Sequence, residues 1–147
     1  MTPITHRIIP ALLGALMCSA AALAQPSSSA GSLYAALGEK AGITALMDDF
    51  VDRVVLDARI GTAFKNTKLP NLKEQLRDQV CQLSGGPCKY EGDAMKPAHA
   101  DLGIRKADFN ALVEVLQLAM DARGIAFGDQ NRLLALLAPM HRDIVTK

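Results

Sequence analysis

The chain has 147 residues, of which 50% are hydrophobic, 4% aromatic and 21% charged, with a formal net charge of +1. This composition excludes a disordered chain, a collagen-like repeat and a nucleic-acid binder that relies on strong basic charge. One domain is the default at this length. The chain has three His, three Cys and no Trp, so a site built on imidazole or thiol groups has few candidate members.

The first 24 residues have the pattern of a secretory signal peptide. His6 and Arg7 precede an apolar stretch from Ile8 to Leu16, and small residues then end in Ala22-Leu23-Ala24. This order of a positive start, a short apolar middle and an A-x-A end predicts cleavage after Ala24 and a periplasmic or secreted protein. A membrane anchor would need a continuous apolar run of roughly 20 residues, and this stretch is shorter.

Cleavage would leave 123 residues, because 147 − 24 = 123. Loss of Arg7 would lower Lys plus Arg from 16 to 15, against 15 acidic residues, for a formal net charge of 0. We therefore expect neither nucleic acid nor a lasting membrane anchor as a partner. Residues 25–31 predict a short disordered leader, and residues 32–147 a folded domain. A lipoprotein acylated at Cys18 is the alternative.

Four stretches carry apolar residues at the three-and-four spacing of an amphipathic helix, and no run alternates with the period of a strand. They lie within residues 39–56, 69–83, 109–120 and 133–145. The pattern predicts an all-α fold. Pro139, inside the last stretch, should kink or break that helix.

The segment from Ser84 to Gly103 is rich in Gly and Pro, so it holds at most about a turn of helix. It contains His99, which would share the mature chain with one other histidine, His141. One His beside two thiols seven residues apart lacks the spacing of a zinc site. A lone His is commonly a surface residue, but a single imidazole facing an aliphatic interior also suits a haem iron. We expect His141 to be a solvated neighbour of Arg142.

Several short motifs recur in a specific order between residues 33 and 145. They are Leu33-Tyr34, Leu37-Gly38, Asp49-Phe50, Phe64, Gly85-Gly86-Pro87, Tyr90, Met95-Lys96 before His99, Gly103-Ile104, Phe109 and Ala138-Pro139. In this order and spacing the chain resembles the group I truncated haemoglobins, as an exported variant. The resemblance implies a two-over-two helical sandwich around haem b, with His99 as the proximal axial ligand of the iron.

The resemblance also implies which other residues approach the haem. By position, those in contact with it would be Phe64, Leu72, Leu76, Met95, Ile104, Phe109 and Leu112. Lys73 and Tyr90 would lie near the haem propionates. For the apolar residues, ordinary core packing is the competing interpretation.

The chain departs from the family on the distal side of the haem. Many relatives stabilise bound O₂ with a Tyr after the first-helix Phe and with Gln on the distal helix. Here Phe50 is followed by Val51, and the distal helix presents Leu72 and Leu76, so Gln79 is the one nearby polar candidate. A lost donor weakens ligand binding by on the order of 1–3 kcal/mol, so we predict fast O₂ release unless Gln79 reaches the ligand.

Cys81 and Cys88 are the remaining thiol pair after signal cleavage. Seven residues of continuous helix rise about 10 Å, which exceeds the span of a disulfide. The intervening Gly85-Gly86-Pro87 can turn the chain back, so we expect a disulfide that stabilises the fold by roughly 2.5 kcal/mol. Two buried free thiols are the alternative.

Three classes of function remain open from the sequence. The first is reversible binding of a diatomic gas, O₂, NO or CO, at the haem. The second is haem-based redox chemistry, either NO dioxygenation or peroxidase-like turnover, which would need a reductant that the sequence does not identify. The third is a haem-free helical interaction module, which would have no need of His99.

Overall fold

The structure is a computed structural model that describes residues 31–147. The predicted signal peptide, residues 1–24, and residues 25–30 of the leader lie outside the described residues. Seven α-helices follow one another in the described part, which contains no strand. They are α1 (Leu33–Ala36), α2 (Glu39–Leu56), α3 (Leu69–Leu83), α4 (Met95–His99), α5 (Lys106–Ala122), α6 (Phe127–Leu137) and α7 (His141–Ile144).

Helix α2 is the central helix and packs against both α3 and α5. Its apolar stripe predicts this position, and Leu46, Met47 and Val54 on that stripe are at most 1% exposed. Gly42 allows α1 to lie close by, because a Cβ at this position would collide with the carbonyl oxygen of Leu37. α2 is thus the central helix, and α1, α3 and α5 pack against it.

Helix α5 is the second buried helix. It begins with a cap in which both the backbone N–H and the guanidinium of Arg105 donate to the Asp108 carboxylate, the backbone N–H at 2.9 Å. Farther along, Ala119 and Met120 are fully buried. The apolar face that they continue also carries Leu112, so the burial of α5 fixes that side chain near the centre of the fold.

The last amphipathic stretch is broken where Pro139 predicts a break. α6 ends at Leu137, a 3-10 turn covers Ala138–Met140, and α7 follows at His141. α7 packs against α4. The backbone N–H groups of Thr146 and Lys147 then both donate to the carbonyl oxygen of Ile104, at 2.9 and 3.1 Å. The chain terminus is thereby fastened beside the segment that carries His99.

The Gly- and Pro-rich segment contains little helix, as its composition predicts: α4 has five residues. Before α4, a disulfide joins Cys81 at the end of α3 to Cys88, with a Cα–Cα distance of 5.7 Å. Gly86 lies between them, and a Cβ there would come within 2.7 Å of both the Tyr34 ring and the Cys81 sulfur. Within residues 31–147, no helix is long and apolar enough to cross a membrane.

Candidate functional site

A cavity of about 590 Å³ lies between α3, α4, α5 and the C-terminal segment. Most of the side chains around it are Leu, Ile, Val, Met or Phe. α2 contributes Phe50, and the 3-10 turn Gly61–Phe64 contributes Phe64. An apolar cavity of this size with a few polar groups is typical of a cofactor site.

His99 is the imidazole in the cavity wall. It is the last residue of α4, is half-buried, and has its Nδ1 2.7 Å from the carbonyl oxygen of Met95. A carbonyl can only accept, so Nδ1 carries a proton, and in the neutral form of this imidazole the lone pair is on Nε2. A neutral imidazole oriented in this way by a second hydrogen bond is the form that binds a metal.

The wall that α3 contributes to the cavity is aliphatic, in contrast to the imidazole contributed by α4. Leu72 and Leu76, one helical turn apart, contribute aliphatic side chains to the cavity wall. Neither side chain can donate a hydrogen bond to a ligand in the cavity. The α3 side of the cavity is therefore apolar at these two positions, as the sequence predicts.

Gln79 also lines the cavity and is 8% exposed. Its Nε2 lies 3.8 Å from the sulfur of Met95 on α4 and 3.8 Å from the sulfur of Met140 in the 3-10 turn. Thioether sulfur is a weak acceptor. The amide donors of Gln79 are thus directed at two methionines, and they link α3 to both neighbouring segments.

Gln75 is a polar cavity residue that the sequence prediction missed. Its Oε1 is buried and, among the described residues, has no hydrogen-bond partner. The backbone of Gly92 lies close to it, since a Cβ there would collide with that oxygen. Gln75 follows Leu72 by three residues and precedes Gln79 by four, so helical spacing could have placed it on the cavity face.

Tyr90 borders the same part of the cavity. Its hydroxyl donates to the carbonyl oxygen of Asp93 at 2.8 Å, and its backbone N–H donates to Oε1 of Gln82 at 2.7 Å. Burial, followed by the nearby charge of Asp93, raises the pKa of the Tyr90 hydroxyl. Tyr90 therefore remains a protonated side chain that holds the segment before α4 in place.

Three predicted site residues, Val51, Lys73 and Ile104, are not among the residues that line the cavity. Val51 is 1% exposed within the helical core, because it is rotated by about 100° from Phe50 along α2. Lys73 instead donates from Nζ to Asp52 at 2.6 Å, which joins α3 to α2. Ile104 uses its carbonyl oxygen to anchor the C-terminal backbone. Its side chain is half-buried.

The remaining predicted residues, among them Met95, Phe109 and Leu112, do line the cavity. His141 was expected to be a solvated neighbour of Arg142, and in the structure it keeps part of its surface exposed. It is half-buried, and its ring meets the Phe109 ring edge-on, with the centroids 4.8 Å apart. His141 thereby supports a cavity wall from behind.

The contribution of the C-terminal segment to the cavity was not predicted from the sequence. Leu137, Met140 and Ile144 line the cavity. Their spacing marks an amphipathic helix, but it does not distinguish a side chain that faces a cavity from one that packs in the core. Met47 on α2 was missed for the same reason.

Comparison with known proteins identifies the class to which this fold and site belong. A family model described as bacterial-like globin matches residues 32–146. A group 1 truncated hemoglobin of Tetrahymena pyriformis is 27% identical over 116 residues, which cover 79% of this chain and 96% of that protein. A group 1 truncated hemoglobin of a Nostoc species is also 27% identical, over 79% of this chain and 98% of its own.

Comparison with solved structures leads to the same class of protein. The crystal structure of the truncated hemoglobin from Tetrahymena pyriformis in its Fe(III) form superposes with a TM-score of 0.75 at 27% identity and covers 78% of this chain and 98% of its own. A 2/2 hemoglobin from Synechococcus, solved with covalently attached heme, gives a TM-score of 0.74 at 24% identity and supports the fold. The prediction of an all-α truncated-globin fold is confirmed.

The chain belongs to the bacterial-like globin family, among the group 1 truncated haemoglobins. Haem is accordingly its cofactor and a diatomic gas the ligand of the haem.

Proposed function

We propose that this protein holds haem b in the cavity between α3 and α4, with His99 as the axial ligand, and that it binds a diatomic gas reversibly. The observation that carries the proposal is one imidazole, with Nδ1 fixed to Met95 and Nε2 free, in the wall of an apolar cavity of about 590 Å³. His99 would hold the haem in this cavity, and the haem would supply an iron centre able to bind a diatomic gas.

The residues present fit such a group. Haem is a large, mostly apolar ring with two carboxylates, and the cavity is mostly apolar with a few polar atoms at its wall. The unpartnered Oε1 of Gln75 belongs to an amide whose two ends can be exchanged by rotation. Rotated, this amide would present N–H groups to a carboxylate, so we propose Gln75 and Tyr90 as the residues beside the propionates.

The protein would contribute to gas binding an apolar cavity wall with few hydrogen-bond donors. Leu72 and Leu76 exclude water from the α3 side, and Gln79 directs its amide at the sulfurs of Met95 and Met140. Catalytic turnover of a bound ligand commonly depends on donors placed where charge develops, and Leu72 and Leu76 supply none. We therefore place reversible binding ahead of NO dioxygenation or peroxidase-like turnover.

We also propose that the protein is exported after cleavage behind Ala24. The order of residues in the first 24 positions supports this, and so does the disulfide between Cys81 and Cys88, since disulfides persist mainly in oxidising compartments. Amino-terminal sequencing of the protein from fractionated cells tests the proposal. A mature chain that begins at Gln25 in the periplasmic or culture fraction is expected, and an intact Met1 in the cytosol contradicts it.

Optical titration tests the proposed function. Apoprotein mixed with increasing haem should give a Soret band that saturates at one haem per chain. The band should shift when the reduced protein is exposed to CO and return when the CO is removed. A titration without saturation, or a reduced spectrum that CO leaves unchanged, would contradict gas binding at a specific haem.

A further inference from the structure

A second, smaller pocket lies on the opposite side of α3 from the haem cavity. Its volume is about 190 Å³, and both cysteines of the disulfide line it. From α3 it is lined by Glu74, Arg77, Asp78 and Cys81, which follow the three-and-four spacing of one helix face. The residues that face the large cavity, such as Leu72 and Leu76, follow the other face. A small molecule in solvent could therefore reach the disulfide through this pocket without entering the haem cavity.

The two cysteine residues that line this pocket differ in their exposure. Cys81 is 1% exposed, whereas Cys88 is half-buried. Lys40 and Arg77 supply two positive charges to the lining, and Glu74 and Asp78 supply two negative charges, so the pocket has no net charge. Its size and neutrality suit a small uncharged thiol, and Cys88 is the sulfur that such a thiol reaches first.

The disulfide joins the two walls of the haem cavity. α3 carries Leu72 and Leu76, and the chain after Cys88 leads through Tyr90 and Met95 to His99. Two hydrogen bonds reinforce this connection near the bridge, from the N–H of Gly86 to the carbonyl of Cys81 at 2.8 Å and from the N–H of Tyr90 to Gln82 at 2.7 Å. Opening the bridge would remove the covalent link and leave the entry to α4 held by these bonds, by the contact of Gln79 with Met95 and by the packing of α4 against α7.

We propose that the Cys81–Cys88 disulfide is a thiol-exchange site for a small uncharged dithiol, and that its reduction loosens the His99 side of the cavity and speeds haem loss. The consequence for haem rests on the proposed function. The exchange itself depends only on the pocket and on the exposure of Cys88.

The exchange proceeds in two displacements. A thiolate of the dithiol attacks Sγ of Cys88, a new S–S bond forms with the reductant, and the Cys81–Cys88 bond breaks with its electron pair on Sγ of Cys81. The second thiol of the reductant, as its thiolate, then displaces Cys88 and closes the reductant into its own disulfide. The protein gains two electrons and two protons and holds two thiols, while the dithiol is oxidised.

The test uses haem-loaded protein with and without dithiothreitol under native conditions. Mass spectrometry after alkylation should show Cys81 and Cys88 modified in the treated sample and unmodified in the untreated one. Transfer of haem to an excess of apomyoglobin should then be faster than from the untreated protein by roughly tenfold. The double variant Cys81→Ser/Cys88→Ser should transfer haem at the rate of the reduced protein and should not respond to dithiothreitol, which controls for effects of the reductant on haem itself.

Limited trypsin digestion of the apoprotein gives a second readout that does not depend on haem. Reduction should speed cleavage after Lys89, which directly follows Cys88, while leaving cleavage after Arg53, on the central helix, unchanged. Equal haem-transfer rates and equal trypsin cleavage in oxidised and reduced protein would overturn the proposal. Resistance of the bridge to dithiothreitol until the protein unfolds would also overturn it. Failure of the apoprotein to bind haem would refute the proposed function instead, and trypsin cleavage would still decide whether reduction frees this segment.

Discussion

Leu72 occupies a cavity position where a single donor would change how a gas is held. Its side chain lines the wall contributed by α3 and cannot donate a hydrogen bond. Gln79, two turns farther along, can donate, but its amide is directed at the sulfurs of Met95 and Met140. Whether a donor reaches the ligand therefore depends on individual side chains of one helix.

We predict that Leu72→Gln slows O₂ dissociation from the reduced protein by roughly tenfold to a hundredfold, because one hydrogen bond to a polarised ligand is worth on the order of 1–3 kcal/mol. Stopped-flow displacement of O₂ measures this rate. Leu72→Met is the matched control, since it keeps the size of the side chain without adding a donor. Equal rates in Leu72→Gln and Leu72→Met would show that the α3 wall does not face the ligand.

For Gln79→Leu we expect an O₂ dissociation rate within about twofold of the unsubstituted protein, since its donors already have thioether partners. The free energy of unfolding should also stay within about 1 kcal/mol, because the substitution removes a buried amide that has only weak acceptors. Stopped-flow kinetics and urea unfolding measure the two quantities. Acceleration of O₂ release by tenfold would show instead that Gln79 reaches the ligand.

At the scale of elements, the link from the end of α2 to α5 is electrostatic. Arg59 follows α2 and pairs with Asp57 at 2.8 Å and with Glu114 on α5. The hydrogen bond from the Arg59 side chain lowers the pKa of the Asp57 carboxyl to about 2, with a further contribution from the Arg59 backbone N–H. The carboxylate is therefore preferred more strongly in the folded chain than in the unfolded one.

This lowered pKa gives a stability contribution with a defined pH window. It is fully present above the ordinary pKa of 3.8 and is lost as the pH falls through about 2. Asp57→Asn should consequently lower the melting temperature at pH 6, and its difference from the unsubstituted protein should shrink below pH 4 and vanish near pH 2. Thermal unfolding followed by circular dichroism over this range measures it. A difference that stays constant with pH would contradict the role assigned to Asp57.

The long helices could be predicted from the sequence because their apolar residues repeat over several turns. The limits 39–56 and 69–83 coincide with α2 and α3, and Pro139 lies at the observed break. Helix α4 has five residues, which is too short for a period to be recognised, and composition predicted only an irregular segment there. The structure of such a short helix is determined by its contacts with neighbouring segments of the chain.

Which residue of a helix faces the cavity could be predicted only in part. The resemblance placed Phe64, Leu72 and His99 correctly at the cavity, but Val51 turns into the core beside Phe50, which faces the cavity. The rotation of α2 against its neighbours decides between adjacent residues, and it depends on packing distant in sequence. Met140 was missed for the same reason, since its position follows from the docking of the chain terminus.

At the scale of the whole molecule, the cavity is enclosed by elements from both ends of the domain. The C-terminal segment closes it with Met140 and Ile144, and two backbone bonds to the carbonyl of Ile104 hold the terminus in place. His141 meets Phe109 from behind. The cavity thus depends on the C-terminal segment as well as on α3 and α4.

Deletion of Thr146 and Lys147 should lower the free energy of unfolding by about 1–2 kcal/mol, because two backbone hydrogen bonds are lost. Urea unfolding of the haem-loaded protein measures this change. Lys147→Ala is the control, since it keeps both backbone donors and should be close to the unsubstituted protein. If the deletion and Lys147→Ala had the same stability, the backbone bonds to Ile104 would contribute nothing to it.

The central claim is that Nε2 of His99 is the protein ligand of the haem iron. The most direct measurement is the optical spectrum of His99→Gly loaded with haem, recorded before and after addition of free imidazole, with His141→Gly as the matched control. His99→Gly should have a Soret band displaced from that of the unsubstituted protein, imidazole should restore it, and His141→Gly should keep the original spectrum. An unaltered spectrum in His99→Gly, or displacement of the band in His141→Gly with rescue by imidazole, would contradict the central claim.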